Sequence, residues 1–231
     1  MTTRNLFLIA CTCLLTACSA DTPDADASAD ADDWQVLFDG ESLDGWRSFK
    51  SEQPPAGWVV ENGALHLAEP GGGDIMTAQS YGDFELEFEW RISKNGNSGV
   101  IYRINVLEST TNTYETGPEY QVLDNDGHAD GEDPTHRAGA LYDLVAPPAD
   151  FTRPVGEYNQ GRIIVQGDRI EHWLNGEKVA ESPFANDAWR DMVDESKFGG
   201  WPEFGKYASG HIAFQDHDDL VWYRNVRIRE L

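Results

Sequence analysis

Nine residues constrain this chain more than any others. In Phe84-Glu85-Leu86-Glu87-Phe88-Glu89-Trp90-Arg91-Ile92, every even position is apolar and every odd one is charged. A strand sends alternate side chains to opposite faces, so this run needs one face in a core and the other in water. Glu85, Glu87 and Glu89 therefore read as a solvated strand face rather than as catalytic carboxylates. The same period of two recurs from Trp34 onward, broken by Gly, Asn and Asp. Residues 162–182 predict a three-strand meander, with two-residue turns at Gly167-Asp168 and Asn175-Gly176. That register puts Ile163, Val165, Ile170, His172, Leu174 and Val179 on a core face. Arg162, Ile164, Glu171, Trp173 and Lys178 fall on the polar one. In 99–105, Val100, Tyr102 and Ile104 are expected to oppose Ile101, Arg103 and Asn105; in 210–217, Ile212 and Phe214 oppose His211, Ala213, Gln215 and His217. One helix is expected near 186–197, where Trp189, Met192 and Val193 follow Asn186 as an N-cap. Many strands and little helix define an all-β sandwich of two antiparallel sheets, with at most one or two short helices.

Charge and the N-terminus narrow the function. With 41 acidic and 17 basic residues in 231, the net charge is −24. A chain this acidic has no basic face with which to displace counterions from nucleic acid, or to bind anionic lipid through charge. Residues 6–17 are apolar, follow Arg4, and are too short to span a bilayer, so 1–17 reads as a secretion signal. Leu15-Thr16-Ala17-Cys18 resembles a bacterial lipobox, which implies cleavage before Cys18, lipidation there, and a lipid anchor as the membrane contact. Ser19 in the next position resembles the pattern of lipoproteins sent to the outer membrane, facing the periplasm. All three cysteines lie at or before residue 18, so a domain over 34–231 has no thiol for disulfides, catalysis or zinc. Residues 18–33 form an Asp/Ala-rich tether whose six Asp repel one another. Setting aside those six and Arg4 leaves 35 acidic and 16 basic residues on the domain, which is itself acidic.

The segment Thr116-Gly117-Pro118-Glu119-Tyr120-Gln121-Val122-Leu123-Asp124 carries the chemistry best. Glu119 and Gln121 share a strand face, and Asp124 joins them only if a bulge at Val122-Leu123 absorbs one residue. The spacing resembles the Glu-x-Asp-x-x-Glu strand of laminarinase-like glycosidases, with Gln121 in the central Asp position and a shorter Asp124 at the end. Double-displacement hydrolysis needs two carboxyl groups about 5–5.5 Å apart, and Gln121 argues against it. The loop 124–132 (DNDGHADGE) is rich in oxygen ligands, but His128 and Arg137 break a calcium-loop pattern, so a solvated loop is favoured and a divalent cation stays open. His136 and Arg137 follow it and could point into the groove mouth. His172 reads as a core histidine; His217, sharing a strand face with Gln215, is the better proton carrier.

With LFDGESLDGW (37–46), YGDFELEFEWRIS (81–93), GNSGVIYR (96–103), ETGPEYQVLDN (115–125), HRAGALYDL (136–144), IEHWLNGEKV (170–179), GHIAFQDH (210–217) and the terminal RNVRIREL, the chain resembles the 3-keto-disaccharide hydrolase domain family across 34–231. The resemblance implies a concanavalin A-like jelly-roll sandwich and an envelope enzyme that cleaves glucosides oxidised to a ketone at C3. It also implies a sugar C3-dehydrogenase acting upstream. A C3 ketone acidifies the C2 proton, so the glycosidic oxygen can leave C1 by elimination, with a base, an enolate stabiliser and an acid. For this chemistry Glu119, Asp124, His217 and Glu171 are the candidate proton carriers, from their strand positions and titratable groups. Arg103, Gln121, His136, Tyr142, Trp173, Lys178 and Gln215 would bind substrate, with Arg103 or Lys178 at the enolate and Trp173 as a sugar platform. Two alternatives stay open, a conventional laminarinase-type hydrolase and a carbohydrate-binding lipoprotein without turnover.

Overall fold

The computed structural model of the chain describes residues 1–2 and 33–231. The signal segment, Cys18 and the tether as far as residue 32 lie outside the described residues. The domain opens with five short strands, β1 (Gln35–Phe38), β2 (Trp46–Ser48), β3 (Trp58–Glu61), β4 (Ala64–Leu67) and β5 (Ile75–Thr77). Two long strands follow, β6 (Phe84–Ile92) and β7 (Asn97–Ile104), then β8 (Glu119–Leu123). The rest is the meander β9 (Asn159–Gln166), β10 (Arg169–Leu174) and β11 (Glu177–Pro183), the helix α1 (Asp187–Glu195), and β12 (His211–Phe214) and β13 (Val221–Glu230).

These strands form two antiparallel sheets. One runs β11-β10-β9-β6-β13-β4-β3, with β1 on β13, and the other runs β2-β5-β12-β7-β8. The alternating run is β6, at the middle of the larger sheet. Phe84, Leu86, Phe88, Trp90 and Ile92 are all buried. Its glutamates meet arginines directly opposite on β13, pairing Glu85 with Arg229, Glu87 with Arg227 and Glu89 with Arg224. Cross-strand ion pairs of this kind stabilise a sheet face by a few tenths of a kcal/mol to ~1 kcal/mol each. Aromatic rings knit the two sheets: Phe88 meets Tyr120 edge-on at 5.3 Å and Phe214 stacks on Tyr223 at 3.9 Å. The fold is a concanavalin A-like jelly-roll sandwich, with one short α-helix among the described residues.

The meander has the expected register, with Ile170 opposite Val165 and His172 opposite Ile163. Asn175 and Gly176 both take positive φ, 51° and 89°, which suits a two-residue hairpin turn. Strand β7 differs from its expected alternation. Arg103 takes φ +56°, and the pairing with β12 slips between Ile101 and Ile104. Ile104 therefore shares a face with Ile101, packed with Phe49, Met76 and Ala213 outside the main core.

Candidate functional site

The smaller sheet has one face on the core and one facing out, and β8 shows how the site arises on the outer one. Tyr120 and Val122 enter the core, so Glu119 and Gln121 point the other way. The loop after residue 137 closes on the free edge of β8. Gln121 N donates to Ala140 O (3.2 Å), Gly139 N to Gln121 O (2.9 Å) and Tyr142 N to Glu119 O (3.1 Å), which sets Tyr142 beside Glu119. On the other side Gly99 of β7 pairs with Gln121. A Cβ at Gly99 would lie 2.0 Å from Glu119 Oε1, so the missing side chain is what lets the carboxyl lie across β7. Beyond β12, Gln215 N donates to Gly99 O (2.9 Å), carrying Gln215 and then His217 along the same wall.

The roof comes from α1 and the 3-10 turn after it. Asn186 caps the helix by accepting from Trp189 N at 3.1 Å, and Ser196 Oγ accepts from Phe198 N at 3.1 Å. Lys197 N donates to Asp143 Oδ2 (3.3 Å), and Lys197 Nζ sits 3.9 Å from the centre of the Tyr142 ring. The result is a cavity of about 230 Å³ with Glu119, Gln121, Asn97, Gln215 and His217 as its polar wall and Lys197 above them. Tyr114, Tyr142, Phe198 and Trp201 supply aromatic surface.

The electrostatics centre on Glu119. It is 8% exposed, and its carboxyl accepts no hydrogen bond among the described residues. Burial, with the Asp74 charge behind it, pushes its pKa up to about 8, against the pull of Lys197. Asp74 is itself raised by burial, although it accepts hydrogen bonds from the Thr113 hydroxyl and from Asp216 N (2.8 Å). Gln121 Nε2 donates to Asn97 Oδ1 at 3.3 Å, and Asn97 Nδ2 donates to Asp130 Oδ2 at 3.2 Å. That chain leaves Gln121 Oε1 buried with no partner, and Gln215 Oε1 is in the same state. Two unpaired acceptors on one cavity wall are what a ligand rich in hydroxyl groups would satisfy. The Tyr142 hydroxyl is held well above its usual range by burial and by Glu119.

Of the residues singled out from sequence, the structure brings together Glu119, Gln121, Tyr142, Gln215 and His217. His136 lies one layer back, stacked on Tyr142 at 4.4 Å and bonded to Asp143 (3.0 Å). Five others are elsewhere. Asp124 does not join Glu119, because β8 pairs with β7 without a bulge and the Asp124 carboxylate accepts from Asn95 N (2.7 Å) and Gly127 N (3.0 Å). Arg103 is buried against Asp83 (2.8 Å) and under the Phe184 ring, turned away by the positive φ. Glu171, Trp173 and Lys178 have the expected register, but their face is the outer one of the opposite sheet. There Trp173 Nε1 donates to Glu171 (2.9 Å), the Arg162 guanidinium covers the ring at 4.3 Å, and Glu171 pairs with Arg169. A larger groove of about 810 Å³ runs along that face, yet its Glu87, Glu89 and Arg227 are already satisfied across strands. His172 is a core residue, bonded to the Tyr102 hydroxyl and to the Gly139 and Ala140 carbonyls, and burial lowers its pKa to about 4. Among the described residues no three His, Cys, Asp or Glu side chains are grouped to hold a metal ion. In the 124–132 loop, His128 Nδ1 accepts from Asp130 N while Asp130 holds Asn97.

Sequence reading missed Lys197, Trp201, Tyr114, Asn97 and Asp74. Asp74 lies in a loop and Tyr114 in the short 3-10 turn Thr113–Glu115, neither with a periodicity to read, and Lys197 and Trp201 follow a helix whose position over β8 only the fold reveals. Asn97 was within reach, since it precedes Gly99 by two on the same strand face.

The fold is a jelly-roll sandwich with a polar, aromatic-walled cavity on one sheet. The model of the 3-keto-alpha-glucoside-1,2-lyase-like domain matches residues 33–229, and the chain belongs to that family. It is 35% identical, over 87% of its length and 80% of the relative's, to a 3-keto-disaccharide hydrolase of Bacteroides thetaiotaomicron. A crystal structure described as a glycosyl hydrolase from Parabacteroides distasonis superposes with a TM-score of 0.81 at 30% identity, covering 87% of this chain and 95% of that one. A carbohydrate-binding module from Bacillus subtilis shares the fold, with a TM-score of 0.50 at 13% identity over 80% of this chain and 96% of the module. The protein is a glycoside-cleaving enzyme by family.

Proposed function

We propose that the cavity binds a glucoside bearing a ketone at C3 and breaks its C1–O bond by elimination. His217 takes the C2 proton, and the C2–H electrons pass into an enolate at C2–C3. The enolate electrons then form the C1=C2 bond as the C3 carbonyl returns, and the glycosidic oxygen leaves with a proton from Glu119. Addition of water across the new double bond turns the elimination into net hydrolysis. Lys197 supplies the positive charge for the enolate oxygen, the task that Arg103 and Lys178 are too far away to perform. The Gln121 and Gln215 amide oxygens accept from sugar hydroxyls. An oxidoreductase acting on the glucoside C3 hydroxyl must supply such a substrate.

The observation that carries this reading is a buried carboxyl that accepts no hydrogen bond among the described residues, in one cavity with His217 and Lys197. A carboxyl whose pKa is about 8 is protonated at neutral pH and suited to act as an acid. The double-displacement alternative lacks its second carboxylate, since Gln121 stands beside Glu119 and Asp124 is engaged elsewhere. The test is to incubate the purified protein with a 3-keto-glucoside and with its unoxidised parent, each with and without chelator. Turnover of the keto form alone is expected, unchanged by chelator. Turnover of both forms would point to an ordinary glycosidase, and turnover of neither to a binding protein.

A further inference from the structure

Three segments around the Glu119 cavity meet at a side chain that does not itself line it. Asp74 precedes β5, whose Ile75 pairs with Phe214 of β12, so it lies beside the strand end that carries Gln215 and His217. Its Oδ1 accepts from Asp216 N at 2.8 Å, and its Oδ2 accepts from the Thr113 hydroxyl. Thr113 opens the 3-10 turn Thr113–Glu115, which sets Tyr114 in the cavity wall. The Asp216 carboxylate returns the contact, its Oδ2 accepting from Gly71 N (2.8 Å) and Gly73 N (2.9 Å). Gly71 and Gly73 take φ of +91° and +93°, a region that favours glycine, and both amides reach the one oxygen.

We propose that Asp74 is a positioning residue for the reaction, joining the segment that carries His217 to the turn that carries Tyr114 and so fixing both relative to Glu119. The inference rests on the proposed cleavage, in which His217 takes the C2 proton. The His217 ring is exposed, and no hydrogen bond among the described residues holds it; its edge-on approach to the His128 ring is 6.2 Å between centres. Its place therefore depends on its backbone, and the amide of the residue before it is bonded to Asp74. Misplacing a reacting group by ~1 Å costs on the order of 10²-fold in rate. The same carboxylate acts on Glu119 through its charge. Asp74 and Asp130 favour the protonated form of Glu119 and Lys197 opposes them, while Asp216 and His217 are the charged groups that face Asp74 itself. The Tyr142 and Tyr223 hydroxyls, which also feel Glu119, are held protonated by burial. Against its own burial, the Asp216 amide and the Thr113 hydroxyl stabilise the ionised form of Asp74.

Asp74→Asn keeps an acceptor for Asp216 N, offers its amide N–H to the Thr113 hydroxyl and removes the charge, whereas Asp74→Ala removes all three. With a 3-keto-glucoside, Asp74→Ala should lose at least about thirtyfold in kcat, and Asp74→Asn should recover kcat to within about fivefold of the parent at its optimum pH. In Asp74→Asn the fall of kcat at high pH, where Glu119 gives up its proton, should move to lower pH, a change that a purely structural staple would not make. Thr113→Val cuts the Tyr114 side of the joint alone and should raise KM at least about threefold with kcat within about twofold. Amide hydrogen exchange reads the joint without turnover. Residues 71–73 and 216–218 should exchange at least about tenfold faster in Asp74→Ala and at the parent rate in Asp74→Asn. An Asp74→Ala variant within about threefold of the parent kcat, or exchange unchanged in it, would overturn the positioning role. So would an Asp74→Asn variant as slow as Asp74→Ala with an unmoved pH profile. If Asp74→Ala does not fold, the pH shift in Asp74→Asn and the split between KM and kcat in Thr113→Val decide the matter, and absence of both overturns the role. No turnover by the parent, with the exchange pattern as stated, would overturn the proposed reaction and leave the joint standing.

Discussion

At Glu119, burial and the Asp74 charge act in one direction and the Lys197 ammonium in the other, and burial dominates. The consequence for stability has a definite sign. Below about pH 4.5 the carboxyl is protonated in both the folded and unfolded chain, and its burial carries no ionic penalty. Between there and about 8 the folded state keeps a proton that the unfolded chain has released, so stability falls as pH rises. Glu119→Gln should therefore raise unfolding free energy by about 2–4 kcal/mol at pH 7.5, with no measurable gain near pH 4. Urea melts at the two pH values check this; an equal gain at both would show that the proton is not what the site destabilises. A residue kept at a cost in stability is most simply kept for its chemistry.

The elements show which parts of the architecture were legible in the sequence. The period-two runs and the Asn175-Gly176 turn are local signals, and β6, the meander and α1 lie where those signals put them. The Glu119-x-Gln121 pair was legible for the same reason, because alternation alone puts both on one face. What periodicity leaves open is which sheet a face belongs to. Trp173 was rightly placed on the polar side of β10, but β10 belongs to the sheet opposite the cavity. Arg103 escaped for another reason, a positive φ within β7 that no residue type there announces. From this placement, Trp173→Ala should leave cleavage of a 3-keto-glucoside within about twofold of the parent and cost about 1 kcal/mol of stability, from the lost Arg162 contact and packing. A tenfold rise in KM with kcat intact would return Trp173 to substrate binding and make the larger groove the site.

The whole molecule combines a strongly acidic domain with an N-terminal segment that reads as a lipoprotein signal and a charged tether. Attachment at Cys18 is our proposal for how the enzyme is held at the envelope. Cys18→Ser should release the protein into the soluble fraction of the periplasm; unchanged membrane association would refute the anchor. Within the domain, the two sheets enclose the core between them, the larger one turns a face of paired charges outward, and the smaller one carries the cavity under the turn after α1. The account as a whole depends on that cavity moving a proton through Glu119. The direct measurement is single-turnover cleavage of one 3-keto-glucoside by the parent and by Glu119→Gln, with substrate affinity determined for both. Removing a general acid typically costs about 10²–10⁴ in rate, and Gln keeps the shape and hydrogen-bonding atoms of Glu while losing the titration. The rate should fall at least about a hundredfold with affinity within a few fold of the parent. A variant that retained more than about a tenth of the parent rate would contradict the account and give the acid role to another group.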